Sequence, residues 1–462
     1  MRLSEYNICL DFQEDSNQSL LIQGVTGSFD IIEKKYVTIL DECRNDSSNL
    51  QKLPKDIRES LIKRGYVTEL SEEEEYRFIT KLCEGINQRG RKNLSITLLP
   101  TYNCNFRCEY CFERNIQNGD TECLGEKMSF EMIDAIFTKL ESVKEDGFKL
   151  DSIYLFGGEP LLRGNYDIVQ YICNKAKDIS MPICCISNGY DLDQYVDLIQ
   201  EFNFRYVQIT IDGIGIEHDK RRYLAGGQGT YSKIMENVET GLDKGINIVL
   251  RTNVNTKNLD AISNLIGFYK DKGWTEKNNF SYYFKTTMKC YDQVGESLSE
   301  VDLMKKMASL YGENVEKFQF NSIFQGLSNR LTDMIEHKTY APFRSGYCGA
   351  NMGMYTIDPY GDIYPCWDVL RDKEHAIGKV DVEKKDFIFN DNLERWKGRT
   401  VDKIAECRKC KYMMFCGGGC TAQSKVLYND INRAYCDDFV DVFNQVAIDI
   451  CSKYIDSVKE VV

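Results

Sequence analysis

In the segment CNFRCEYC, Cys104, Cys108 and Cys111 stand at the spacing C-x3-C-x2-C, directly after the strand-like run LSITLL. Thiolates at such short intervals suit a metal centre. Four-iron clusters and structural zinc normally take four protein ligands, so three leave one metal position open to a substrate or cofactor. A zinc knuckle is the structural alternative. A second constellation lies far downstream: Cys348, Gly361 and Cys366 give C-x12-G-x4-C, Cys407, Cys410, Cys416 and Cys420 give C-x2-C-x5-C-x3-C, and Cys436 follows. A pair of zinc ribbons would use the same residue types. Between the two groups lie FGGEP with Gly157, Gly158 and Glu159, SNG with Ser187 and Asn188, TIDG with Thr210 and Asp212, and HDKRR with His218, Arg221 and Arg222. Glycines let a ligand approach the backbone, and a carboxylate after them can accept a bond from an ammonium group. Small hydroxyls can bond a carboxylate or a ribose, although strand-end turns and helix caps use the same residues.

The elements that would position these groups follow from hydrophobic period. LSITLL, SIYLF, ICCIS, YVQITI, NIVLRT and SYYFK read as strands, each separated from the next by a helical pattern. In the first such helix Ser129 is placed to cap, and Phe130, Ile133, Ile136, Phe137, Leu140 and Val143 share a stripe. Strand-helix repetition implies parallel βαβ units, as an open sheet or a partial barrel, and ligands gather at the carboxyl ends of such strands. CNFRCEYC, FGGEP, SNG and TIDG all fall there. Upstream, a meander of short strands is followed by helices at 34–43 and 54–64, the latter between Pro54 and Gly65, and by a YVTE strand. Glu72 to Glu75 reads as the solvated start of a connecting helix, and GINQRGRKN as a polar linker at a domain boundary. A final helix is expected around 441–458.

The chain has 462 residues, enough for two or three domains. Its 58 Lys plus Arg against 71 Asp plus Glu give a net charge of −13, so no global basic field attracts nucleic acid or anionic lipid. No apolar run reaches the length of a membrane span, and MRLSEYNICLDF lacks the regions of a signal peptide, which points to a cytoplasmic protein. Nineteen cysteines in such a setting argue for metal ligation over disulfides.

The first cysteine segment, with Tyr110 before Cys111, and the complete GGEP motif resemble the signature of radical S-adenosylmethionine (SAM) enzymes. That resemblance implies a [4Fe-4S] cluster held by Cys104, Cys108 and Cys111, whose open iron is chelated by SAM. A 5'-deoxyadenosyl radical would then abstract a substrate hydrogen. It further implies SAM contacts from Tyr110, Gly157, Gly158, Glu159, Ser187 and Thr210, and from Arg222 toward the SAM carboxylate, with Arg221 a surface charge. The second constellation resembles the SPASM extension of radical SAM peptide maturases, which implies two auxiliary [4Fe-4S] clusters and three in all. By that likeness Cys407, Cys410, Cys416 and Cys436 hold the outer one and Cys348, Cys366 and Cys420 the inner one. Pro342 stands where some relatives place an extra cysteine, so the inner cluster is a ligand short or closed by another residue such as Cys290.

The expected fold is therefore α/β: a winged-helix-like leader-recognition domain at 1–90, a partial (β/α)6 TIM-like barrel at 91–310, and bridging helices with a Cys-rich SPASM domain at 311–462. The expected activity is crosslinking of a ribosomally made precursor peptide, thioether or carbon–carbon, with electrons from a donor such as flavodoxin or ferredoxin. Neither nucleic acid nor membrane is an expected partner. An anaerobic sulfatase-maturing enzyme is the first alternative, weakened because Trp367 stands where that group has a basic Asp; Asp368, one position on, is the remaining candidate proton acceptor. An Fe–S carrier without catalysis is the second.

Overall fold

The computed structural model describes residues 1–12, 17–113, 122–287, 296–311, 323–337 and 339–453; Cys290 and the end of the expected last helix lie outside them. The chain divides into two compact units, one of Met1–Arg89, Ser322–Cys348 and Arg399–Val462, the other of Gly90–Asn321 and Gly349–Gly398.

In the first unit, β1 (Arg2–Leu3) pairs with β5 (Val67–Thr68), while β2 (Asn7–Asp11), β3 (Gln18–Gln23) and β4 (Phe29–Glu33) form an antiparallel meander. The helix Lys55–Arg64 starts after Pro54 and stops at Gly65, whose φ of +87° favours glycine. Leu21, Ile32, Leu40, Leu61 and Tyr66 fill the small core between sheet and helices. The helix Glu72–Arg91 corrects the linker reading. Its buried residues Glu75, Ile79, Cys83 and Asn87 recur every four positions, and this continuous inner stripe carries the helix through the polar GINQRG run. Ile79 and Cys83 pack with Met413, Met414 and Val401, so the N-terminal segment and the cysteine-rich C-terminal segment share a core. Glu75 is likewise buried, accepting from Ser4 Oγ at 2.6 Å and pairing with Arg2 at 2.8 Å.

The second unit is built on a parallel sheet of β6 (Asn93–Leu98), β7 (Lys149–Leu155), β8 (Ile183–Ser187), β9 (Phe204–Thr210), β10 (Ile248–Val254) and β11 (Phe280–Thr286). They pair in sequential order, as consecutive βαβ units do. In the helix Phe130–Glu145 the Ser129 hydroxyl accepts from the Met132 amide at 3.2 Å, and Ile133, Ile136, Phe137 and Leu140 are buried. Phe130, expected on that stripe, is instead 44% exposed and leans on the Tyr171 ring. Residues 354–389, within the C-terminal region of the linear reading, extend the same sheet. There β12 (Met354–Ile357) pairs parallel to β6, and β13 (Asp362–Tyr364), β14 (Gly378–Asp381) and β15 (Asp386–Phe389) follow antiparallel, for ten strands. No helix among the described residues is long and apolar enough to cross a membrane.

Candidate functional site

The loop after β6 carries Cys104, Cys108 and Cys111, and the turn after β7 locks onto it. Gly158 has φ +23°, and a Cβ there would lie 2.2 Å from the Asn103 carbonyl oxygen and 2.6 Å from the Tyr102 carbonyl carbon. The Glu159 amide donates to that same Asn103 oxygen at 2.8 Å. Only glycine permits this approach, so the GGE turn sits against the backbone that leads into Cys104. Glu159 is buried; its carboxylate accepts from Ser187 Oγ at 2.7 Å, the Leu161 amide at 2.9 Å and the Asn188 amide at 2.6 Å. Burial still pushes its carboxyl up, to about 7. Ser187, expected to face a cofactor, donates its hydroxyl to Glu159 and accepts from the Gly189 amide, which orients the carboxylate. Glu113, which the motif reading passed over, is buried beside the same turn and pushed up to about 8 by its burial. No sequence pattern marked it beyond its place two residues after Cys111.

The end of β9 supplies a second anchor. Asp212 is wholly buried and accepts from the Tyr110 hydroxyl and, at 2.9 Å, from the Asn253 amide. Arg221 Nε lies 3.5 Å from it, with further bonds to Asn255 Oδ1 and the Asn253 carbonyl. Arg221 is thus an interior counter-charge and not the surface charge that its place in an exposed-looking KRR run suggested, because the buried Asp212 carboxylate draws it inward. Arg222 is buried as well: it donates to the Tyr110 hydroxyl at 2.8 Å, lies over the Phe106 ring, and has an Nε with no acceptor. A buried guanidinium with a spare donor fits a carboxylate such as that of SAM. Thr210 lies on the same stretch at the end of β9, 7% exposed.

Burial raises all three thiols of the first loop, Cys111 to about 12, so a metal ion bound there would have to displace their protons. A single zinc ion with ~2.3 Å bonds to sulfur holds its ligands about 3.8 Å apart. Among the described residues no three cysteine sulfurs lie within 4.8 Å of one another, and the only compact group of three metal-ligand types is Asp372, Glu374 and His375.

Of the downstream cysteines, Cys348, Cys407, Cys410, Cys416, Cys420 and Cys436 belong to the first unit and Cys366 to the second. Cys407, pushed up to about 12 by burial, sits among Cys416, Cys410 and Cys436. The run Gly417, Gly418 and Gly419 has φ +77°, +85° and +75° and presses against Gly346, Ile404 and Tyr435 in turn. This lets the amides of Gly418 and Gly419 point at the Cys416 sulfur. Arg399, a residue with no motif around it, is 3% exposed and holds the outside of that turn by donating to the carbonyls of Gly418, Gly419, Arg433 and Ile431. In the second unit Asp368 turns its Oδ2 to within 3.7 Å of the Cys366 sulfur, and Trp367 packs on Phe156, which in turn stacks on Phe112 beside Cys111.

The family model described as Radical SAM superfamily matches residues 98–268. A cysteine-type anaerobic sulfatase-maturating enzyme of Clostridium novyi (strain NT) is 24% identical over 376 residues, 77% of this chain and 95% of that protein. The antilisterial bacteriocin subtilosin biosynthesis protein AlbA of Bacillus subtilis (strain 168) is 25% identical over 333 residues, 70% of this chain and 66% of that one. Among solved structures, native anSMEcpe with bound AdoMet superposes with TM-score 0.61 at 18% identity, covering 79% of this chain and 99% of that one. Streptococcus suis SuiB bound to precursor peptide SuiA superposes with TM-score 0.55 at 13% identity, covering 94% and 98%.

Proposed function

We propose that this chain, a radical SAM enzyme of the SPASM maturase kind, installs a crosslink in a ribosomally made peptide, a thioether in first preference and a carbon–carbon bond in second. SAM and its cluster, when bound, supply the one-electron chemistry that removes a hydrogen atom from the peptide. The chain's own residues hold and orient. Cys104, Cys108 and Cys111 would ligate the cluster, Arg222 would take the SAM carboxylate through its spare Nε, and Glu159, fixed by Ser187 and the Asn188 amide, would face the SAM amino group beside Gly157 and Gly158. Tyr110 holds Arg222 and Asp212 together through its hydroxyl. The two auxiliary clusters would use Cys407, Cys410, Cys416 and Cys436, and Cys348, Cys366 and Cys420, with electrons from a flavodoxin or ferredoxin.

The observation that carries the choice is at Cys366. Formylglycine chemistry in the expected scheme needs a carboxylate directly after that cysteine, and here the position is Trp367, packed 5.3 Å from the Phe156 ring. Asp368 is turned back on Cys366, accepting from its thiol at 3.7 Å. The β2-β3-β4 meander of residues 1–89 offers an edge strand to which a leader peptide would add by β-augmentation. The test is anaerobic incubation of the iron-loaded protein with a precursor peptide, SAM and reductant, followed by mass spectrometry. Loss of two hydrogens with the residues otherwise intact supports crosslinking; conversion of a Cys or Ser to formylglycine overturns it in favour of sulfatase maturation.

A further inference from the structure

The two faces of the parallel sheet differ in exposure. Val207, Ile209, Ile248 and Leu250 are 0–1% exposed against the helices. On the opposite face Tyr206, Val249, Arg251, Ser281 and Lys285 stay partly open, while Gln208, Thr210, Tyr283 and Asn253 are buried between them. Strand register places Thr210, Arg251 and Tyr283 side by side across β9, β10 and β11, with Gln208 one step below on β9. The Tyr283 hydroxyl donates to Gln208 Oε1 at 2.7 Å, which fixes the amide so that its Nε2 faces away, buried and without an acceptor. Arg251 leans toward the carboxyl ends of the strands, where its Nε donates to Asn253 Oδ1 at 2.9 Å; Asn253 Nδ2 in turn donates to the Tyr110 hydroxyl at 3.1 Å.

Of the neighbouring cations, Arg221 is paired with Asp212, Lys285 with Glu300 and Lys257 with Glu296, while the buried Arg222 bonds the Tyr110 hydroxyl and is reserved above for SAM. Among the described residues Arg251 has no carboxylate partner, although it is partly withdrawn from water. A buried amide donor left unpaired opposes folding, and a half-buried guanidinium held only by the neutral Asn253 and Tyr283 side chains keeps its charge for an anion. Both groups lie on one face of the sheet, a step from the residues around Tyr110, where one anion would meet both.

We infer that Arg251 and Gln208 form a recognition site for the carboxylate of an Asp or Glu side chain in the substrate peptide, next to the residue that is modified. The guanidinium fork would take the two oxygens and Gln208 Nε2 one of them, so that the acidic residue sets which neighbour reaches the reacting centre. This deepens the peptide-maturase reading and rests on it, but its test needs no turnover.

The full-length protein, iron-loaded anaerobically and saturated with SAM, would be titrated with N-acetyl-glutamate N-methylamide and with its glutamine counterpart by ligand-observed NMR. The wild type should prefer the glutamate probe by about tenfold, the Arg251→Gln variant by less than about twofold, and Arg251→Lys by an intermediate factor. Gln208→Leu should weaken the glutamate probe by about fivefold. SAM affinity should stay at the wild-type level in all three variants, which also shows that they are folded. The proposal is overturned if the wild type binds both probes equally or neither, or if Arg251→Gln keeps the preference. Loss of SAM affinity in Arg251→Gln with its iron retained also overturns it, by placing Arg251 on the SAM carboxylate. A wild type that prefers the glutamate probe yet crosslinks no peptide would refute the maturase reading and leave this site standing.

Discussion

Asp212→Ala is the most informative single perturbation of the site. The carboxylate is fully buried, takes the Tyr110 hydroxyl and the Asn253 amide, and lies 3.5 Å from Arg221 Nε. Removing one partner of a buried ion pair costs about 3–5 kcal/mol, because Arg221 would be left charged and uncompensated, and each orphaned donor adds about 1 kcal/mol. The expected loss is therefore about 5 kcal/mol for alanine. An asparagine side chain in its place would keep an acceptor for the Asn253 amide, so Asp212→Asn should lose about 3 kcal/mol. Trp274, Trp367 and Trp396 all lie in the second unit, so tryptophan fluorescence during urea unfolding reports that unit alone. The double variant Asp212→Asn/Arg221→Gln should recover part of the loss, since neither charge is then stranded. A loss below about 1 kcal/mol in Asp212→Ala, or no recovery in the double variant, would refute the argument that this ion pair anchors the site.

Gly158→Ala places a Cβ 2.2 Å from a backbone oxygen that cannot swing aside. It should cost about 1–3 kcal/mol and weaken SAM binding by calorimetric titration while the downstream cysteines keep their iron. Burial pushes the Asp358 carboxyl up to about 6 from an ordinary 3.8. The folded state then holds the proton more tightly, so this contribution is complete below about pH 4 and is lost, by about 3 kcal/mol, as pH rises through 6. Asp358→Asn should flatten the fluorescence-detected stability across that window. Arg399→Lys should fail to restore what Arg399→Ala loses, because one ammonium cannot serve the carbonyls of Gly418, Gly419, Arg433 and Ile431 together. Cluster EPR should then show loss of the signal that depends on Cys416, with the signal that depends on Cys108 intact.

The six parallel strands could be read from the sequence because each is a short apolar run ended by a turn, and the Ser129 cap because it precedes a regular stripe. The four strands at 354–389 were not, since each has three or four residues and no repeat to betray its pairing with β6. GINQRGRKN looked like a linker because local polarity outweighed the four-residue stripe running through Cys83 and Asn87. The cysteines and GGEP stand out in the sequence by type and spacing, and the structure sets the GGE turn against the loop that leads into Cys104. Arg221 and Arg399 escaped because a buried arginine is made by its partners, Asp212 in one case and four carbonyls in the other, which lie elsewhere in the sequence. Ser187, expected as a SAM contact, also donates to Glu159, a relation between two strand ends that no local pattern encodes.

Chromatographic detection of 5'-deoxyadenosine, with SAM and reductant under anaerobic conditions, tests the central claim most directly. The reconstituted wild type should carry about twelve irons per chain and form 5'-deoxyadenosine, and Cys104→Ala, Cys108→Ala and Cys111→Ala should each form none while keeping about eight irons. A wild type with its full iron that cleaves no SAM, or undiminished 5'-deoxyadenosine after loss of those cysteines, would contradict the assignment of the open-iron site to Cys104, Cys108 and Cys111.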